Sequence, residues 1–266
     1  MSKHIFAVDS DGCAMDTMTY KHELFFGPIA AEKFEVEDTE TFQKNWEDIN
    51  LYSRTRGVNR FVALVMGLES IKYDVINIDN LKRWVEETSS LSNDSLEDEY
   101  AKTPSDDLKR TIEWSYAVNK NIAEAEGHDF PFEGALIGLE KMSKLGTVNI
   151  VSSANREAVE DEWQRHGLIA HVDDLYCQDR GKKEDVLKEF ISAGQDPHKI
   201  LMVGDSPGDV EAAEANGTWF FPIIVGDEAA SWKELYDKVA DQFVAGEYTK
   251  EDHERNIEKF WRNLDN

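Results

Sequence analysis

Residues 3–16 read KHIFAVDSDGCAMD, and this stretch decides how the rest of the chain is read. Ile5 to Val8 is an unbroken apolar run, the pattern of a strand buried on both faces. The run stops on Asp9 and Asp11, two like charges one residue apart, and then Gly12. Crowded carboxylates repel one another unless a cation joins them. In an open parallel sheet, ligands bind at the carboxyl ends of the strands. The residues just past each further strand therefore matter most.

Downstream of Phe130 strands and helices alternate. PFEGALIGLEKMSKLG (131–146) predicts a helix opened near Pro131 and closed by Gly146. TVNIVSS is a strand, REAVEDEWQRHG a helix, VDDLYCQ a short strand and KEDVLKEFISAG a helix. KILMVGD is a strand, GDVEAAEANG a helix and TWFFPIIVG a further strand region. That alternation predicts an α/β fold, a Rossmann-like parallel sheet with helices on both faces. The first strand joins this sheet, so the core covers 1–18 and 128–266, with 228–266 a helical C-terminal extension. The stretch 19–127 lacks the alternation. NRFVALVMGLESI and DDLKRTIEWSYAVNKNIAEAEG place apolar residues at helix spacing, and SSLSNDSLEDEYAKTPSDD (89–107) reads as a loop or break between helices. It is expected to be a separate α-helical insertion.

The totals limit the function. The chain has 266 residues, 41% of them hydrophobic, which is enough for a packed core. Its formal net charge is -25, which repels phosphate backbones and anionic membranes, so nucleic acid and lipid surfaces are excluded as expected partners. There are two cysteines, Cys13 and Cys177, in no metal-ligand spacing, and no apolar run of signal-peptide length at the N-terminus. A cytoplasmic protein is expected.

The strand ends collect a constellation. After the first come Asp9, Asp11 and Gly12; after VNIV, Ser152 and Ser153; after LYCQ, Asp179 and then Lys182 and Lys183. After ILMV come Gly204, Asp205, Ser206, Pro207, Gly208 and Asp209. Acidic groups gathered on one rim suit Mg²⁺, a hard cation that takes carboxylate oxygens and shares its shell with substrate phosphate. Asp9 and Asp205 would be its carboxylate ligands, and a lysine would bind a phosphoryl oxygen. Plainer readings exist for several of these. Either serine could cap the next helix. Ser206-Pro207-Gly208-Asp209 also fits an N-cap serine, a first-turn proline and a capping acid.

In order, Asp9-Ser10-Asp11-Gly12, Ser152, a lysine before a helix and Gly204-Asp205-Ser206-Pro207-Gly208-Asp209 resemble the four motifs of the haloacid dehalogenase-like hydrolase superfamily. The insertion resembles the helical cap of its phosphoglycolate phosphatase-like members. The resemblance implies a Mg²⁺-dependent phosphatase acting on a small phosphorylated metabolite. Asp9 would be the nucleophile that forms an aspartyl-phosphate, and Asp11 the general acid and base, its main-chain carbonyl touching the metal. Ser152 would hydrogen-bond the phosphoryl group, with Gly12 and Ser153 beside it. Asp205 would bind the metal, and Asp209 would bind it or support it. Lys183 is favoured over Lys182 because it stands three residues before Val186, a spacing similar to that of phosphoserine-phosphatase-like members. Cys13 stands where the family usually has Thr or Val. A phosphomutase, a phosphonatase using Lys21 or Lys33, and a non-catalytic binder of phosphorylated ligands remain alternatives.

In the insertion, LYSRTRGVNRF carries Arg54, Arg56 and Arg60 in an otherwise acidic chain. Arginine suits a second anionic group on a substrate, and equally a salt bridge to nearby Glu47 or Asp48. Trp84, Trp114 and Trp163 fall within helical patterns and are expected in the core. His4, His22, His128 and His171 form no ligand spacing. The two polar helices of the C-terminal extension suggest no function.

Overall fold

A computed structural model describes residues 3–125 and 127–265. It divides into two compact units, Met1–Thr17 with Asp129–Asn266, and Met18–His128. Among the described residues no helix is long and apolar enough to cross a membrane.

The first unit is built on β1 (Ile5–Val8), β2 (Met15–Asp16), β3 (Phe130–Pro131), β4 (Thr147–Val151), β5 (Asp174–Tyr176), β6 (Ile200–Gly204) and β7 (Trp219–Pro222). Five of them form a parallel sheet in the order β5-β4-β1-β6-β7. β1 is central, as its unbroken apolar run requires. Phe6 and Val8 join the core on one face, and Ala7 joins the core on the other. The helices Ala135–Leu145, Arg156–Arg165 and Glu228–Glu234 cover the first face through Leu139, Trp163 and Trp232. Lys183–Ser192, Pro207–Asn216 and Lys250–Leu264 cover the second through Val186, Val210 and Phe260.

The helix expected to open near Pro131 opens instead at Ala135. Pro131 lies in β3, which pairs antiparallel with β2. A proline on a two-stranded ribbon withholds no bond that the ribbon needs.

Among the described residues β7 has a neighbouring strand on one side only. Its free edge is closed by the C-terminal segment. The Phe220 N–H donates to His253 Nδ1 at 3.1 Å, and the Tyr248 hydroxyl donates to the Phe220 carbonyl at 2.7 Å. The next residue of that alternation is Pro222, which has no N–H to leave exposed. An open edge invites pairing with another chain, and these three residues remove the template.

The second unit is helical, with an aromatic core. Trp46 and Trp114 meet edge to face at 6.1 Å, and Phe61 and Trp84 at 5.0 Å. The Trp114 indole donates to the Phe26 carbonyl at 3.0 Å, which satisfies its one polar atom in the core. Trp84, Trp114 and, in the first unit, Trp163 are all buried, as expected of them. The stretch read as a loop contains a helix, Asn93–Lys102. Ser92 caps it by accepting from Ser95 N–H, and Leu96 alone is buried. A helix with one buried residue shows no apolar periodicity, so its pattern was invisible while its cap was in plain view.

Candidate active site

β1 stands between β4 and β6, and the chain leaves it first toward β4 and β5 and later toward β6 and β7. That reversal of direction is where a doubly wound sheet opens a crevice. Val8 lies level with Ile150 and Val203, so Asp9 leaves the sheet one residue past that level and Ser152 and Asp205 two residues past it, all at the carboxyl ends of neighbouring strands. The Asp9 N–H donates to the Val203 carbonyl at 2.9 Å, which holds the first aspartate against β6.

Carboxylate oxygens of Asp9, Asp205 and Asp209 lie within 4.8 Å of one another, and all three residues are buried. Lys183 stands among them, its Nζ 2.6 Å from Asp9 Oδ2 and 2.6 Å from Asp209 Oδ1. The other oxygen of Asp209 accepts from Ser206 Oγ at 2.7 Å, Ser206 N–H at 3.0 Å and Asp205 N–H at 3.2 Å. Asp209 thus closes the capping box of the helix Pro207–Asn216 and faces Lys183 at once. Gly204 makes room for it: a Cβ there would stand 2.2 Å from the Asp209 carboxyl carbon.

The electrostatics follow from burial. Desolvation pushes the Asp9 carboxyl well above its usual range; Lys183 opposes this, and the Asp209 and Asp205 charges add to it. For Lys183 burial acts downward, but the Asp209 and Asp9 charges outweigh it and raise its pKa. The neighbouring acids thus favour the charged ammonium, while burial and the same acids disfavour the charged form of Asp9, a balance that added positive charge would shift. The donor set is all carboxylate oxygen, which fits a hard divalent cation such as Mg²⁺.

Of the two candidate lysines, Lys183 reaches the carboxylates, whereas Lys182 is exposed at the N-cap of Lys183–Ser192, in extended backbone. Asp11 is half-buried and its Oδ1 accepts from the Thr17 hydroxyl. Gly12 takes φ 79°, a left-handed turn that returns its N–H to the Met15 carbonyl at 2.8 Å. Ser152 is buried and Ser153 exposed. Neither caps the next helix. Asn155 does, its Oδ1 accepting from Glu157 and Ala158 N–H, while Ser152 Oγ accepts from Ala154 N–H at 3.1 Å.

The three arginines belong to the second unit. Arg54 is exposed. Arg56 is buried and donates to the Leu51 carbonyl at 2.8 Å. Arg60 donates to Asn119 at 2.6 Å and lies over the Phe26 ring, and burial lowers its pKa. Thr17 was not singled out by the sequence; no local pattern marks a threonine six residues after an aspartate as its partner.

The chain matches the family model for haloacid dehalogenase-like hydrolases over residues 4–217. A comparison with curated proteins returns no match. Among solved structures, the fold is similar to a "putative phosphoglycolate phosphatase" from Lactobacillus delbrueckii subsp. bulgaricus, with TM-score 0.56 and 14% identity, covering 93% of this chain and 99% of that one. It is also similar to a "putative beta-phosphoglucomutase" from Thermotoga maritima, with TM-score 0.50 and 17% identity, covering 90% of this chain and 99% of that one. At such identities the likeness is one of fold. The family match spans β1, β4, β5, β6 and all the residues around Lys183, and on it the chain belongs to the haloacid dehalogenase-like hydrolase family.

Proposed function

We propose that this protein is a Mg²⁺-dependent phosphomonoester hydrolase acting on a small phosphorylated metabolite. One observation carries the reading: the Lys183 ammonium sits at 2.6 Å from both Asp9 and Asp209 within a buried cluster of three carboxylates. A fixed positive charge between acids on a crevice rim suits a phosphoryl group arriving with its own negative charge.

Asp9 attacks phosphorus, forming an Asp9–O–P bond as the bond to the leaving alcohol oxygen breaks. Asp11 gives that oxygen its proton, and the Thr17 hydroxyl holds the Asp11 carboxylate in place. Asp11 then takes a proton from the water that attacks phosphorus, and inorganic phosphate leaves with Asp9 restored. Lys183 neutralises charge on the phosphoryl oxygens, and Ser152 donates to them. Asp9 and Asp205 would hold Mg²⁺, which supplies neutralising charge to the carboxylates and the phosphoryl oxygens alike. Asp209, whose oxygens meet Lys183 and Ser206, supports the cluster.

The strand-end residues engage only the phosphoryl group, so the second unit is the proposed source of substrate contacts. Arg54 is its exposed arginine in this segment and suits an anionic group on the substrate. The test is phosphate release from a panel of phosphorylated metabolites, with and without Mg²⁺, by the protein and by Asp9→Asn. Mg²⁺-dependent release that disappears in Asp9→Asn supports the reading. Undiminished release by the variant removes Asp9 as nucleophile. Product analysis separates hydrolysis from return of the phosphoryl group to a sugar.

A further inference from the structure

The segment beyond residue 217 lies outside the family match, yet it reaches the loop that carries Asp9 and Asp11. The Trp232 indole N–H donates to the Cys13 carbonyl at 2.9 Å, across 219 residues of sequence. On the same face of the sheet, the Trp163 indole N–H donates to Ser10 Oγ at 2.8 Å, across 153 residues. Both tryptophans are fully buried. Between the two anchored residues lies Asp11.

The loop is wound so that these two points hold all of it. The Ser10 carbonyl accepts from the N–H groups of Cys13, Ala14 and Met15 at 3.2, 3.0 and 2.9 Å. Fixing Ser10 from its side chain and Cys13 from its carbonyl therefore fixes the turn at both ends. The seat of Trp232 is specific as well. On the helix Ala135–Leu145, a Cβ at Gly138 would stand 2.5 Å from the indole ring, so glycine there lets the ring approach the helix closely. Two indoles, each aimed by its helix at one end of a single turn, do more than fill volume. A buried phenylalanine would pack in either place without reaching an acceptor.

We infer that Trp232, from the C-terminal extension, and Trp163 are positioning residues that clamp the Ser10–Cys13 turn and so aim the Asp11 carboxyl. The inference rests on the phosphohydrolase reading for its kinetic part and on the hydrogen bonds alone for its structural part. Protonating a leaving oxygen is exacting in geometry, and a slack turn loses it first. Esters of acidic phenols leave without that proton, and alkyl esters need it.

The experiment compares Trp232→Phe, Trp163→Phe and Ser10→Ala with the parent chain. Trp219→Phe serves as control, because its indole also donates to a main-chain carbonyl, that of His198, at 3.0 Å, but far from the loop. Two quantities are read: amide hydrogen exchange of the peptide covering 9–16, and the Mg²⁺-dependent single-turnover rate of alcohol release from a p-nitrophenyl ester and from an alkyl phosphate, which reports the step in which Asp11 is the acid and not the later hydrolysis shared by both esters. The clamp predicts faster exchange in that peptide for the three variants and not for Trp219→Phe. It predicts a loss of roughly ten- to a hundredfold on the alkyl ester. On the nitrophenyl ester the expected loss is at most about threefold.

Exchange unchanged from the parent overturns the clamp. So does faster exchange with equal losses on both esters, since the bonds then hold the fold without aiming Asp11. An equal response of Trp219→Phe overturns it too. A parent chain that cleaves no phosphoester, with exchange altered as predicted, defeats the proposed function and leaves the structural clamp standing.

Discussion

Lys183 Nζ meets Asp209 Oδ1 at 2.6 Å, while the opposite oxygen of that carboxylate accepts from Ser206. One acid thus ends a helix and anchors a lysine. Because the same nitrogen also touches Asp9, the charge balance of the whole cluster passes through Lys183.

Removing that ammonium leaves buried carboxylates uncompensated. Lys183→Met is expected to lose about 3–5 kcal/mol of stability in the presence of a chelator. Added Mg²⁺ should restore much of it, because a cation replaces the missing charge. Phosphate release should remain lost. Lys182→Met, exposed at the N-cap, should unfold and turn over like the parent. Thermal unfolding with EDTA and with Mg²⁺ checks both variants; equal behaviour of the two would reject the assignment of Lys183.

Gly204→Ala places a methyl group against Asp209, with contacts from 2.2 to 2.5 Å to its side chain. Asp209 cannot yield without releasing Ser206 and Lys183. The expected cost is about 1–3 kcal/mol, together with weaker Mg²⁺ binding by calorimetry. A stable variant with parental affinity would show that Asp209 has room to move.

The bond from Phe220 N–H to His253 Nδ1 requires a neutral imidazole. Burial lowers the His253 pKa from 6.5, against the opposing charges of Glu214 and Glu254. Below about pH 6.5 the unfolded chain therefore binds a proton that the folded chain resists. The stabilisation is complete above that pH and is lost as pH falls through the lowered value. His253→Asn keeps an acceptor and cannot titrate, so its stability should fall less between pH 7 and 5 in urea unfolding. His4, also lowered by burial, contributes equally to parent and variant. Parallel pH profiles would refute the role given to His253.

Arg56 and Arg54 should separate structure from specificity. Arg56→Ala removes a buried donor from the Leu51 carbonyl and should cost about 1–3 kcal/mol. Arg54→Ala should raise KM for an anionic metabolite, with p-nitrophenyl phosphate unaffected. The two variants are compared by thermal unfolding and steady-state kinetics. Equal effects on both substrates would remove Arg54 from recognition.

The strand-end residues were legible because their signal is local. Asp9, Asp11, Ser152 and Asp205 each come after an apolar run, and a parallel sheet delivers every such run's end to one rim. Asn155 as helix cap was missed because Ser152 and Ser153 compete for the same reading, and only backbone direction chooses among them. The helix Asn93–Lys102 was missed because one buried leucine makes no period.

By itself the sequence determined the α/β class, the order of the strand-end motifs and the family they resemble. These are properties of short segments, set by burial pattern and by residue types in order. Only the folded chain decided that Lys183 and not Lys182 enters the cluster, that Asp209 faces two ways, and that Trp163 and Trp232 grip the Asp9–Asp11 loop. Those contacts join residues as much as 219 positions apart. Their partners are chosen by how helices pack across a sheet, which no local pattern encodes.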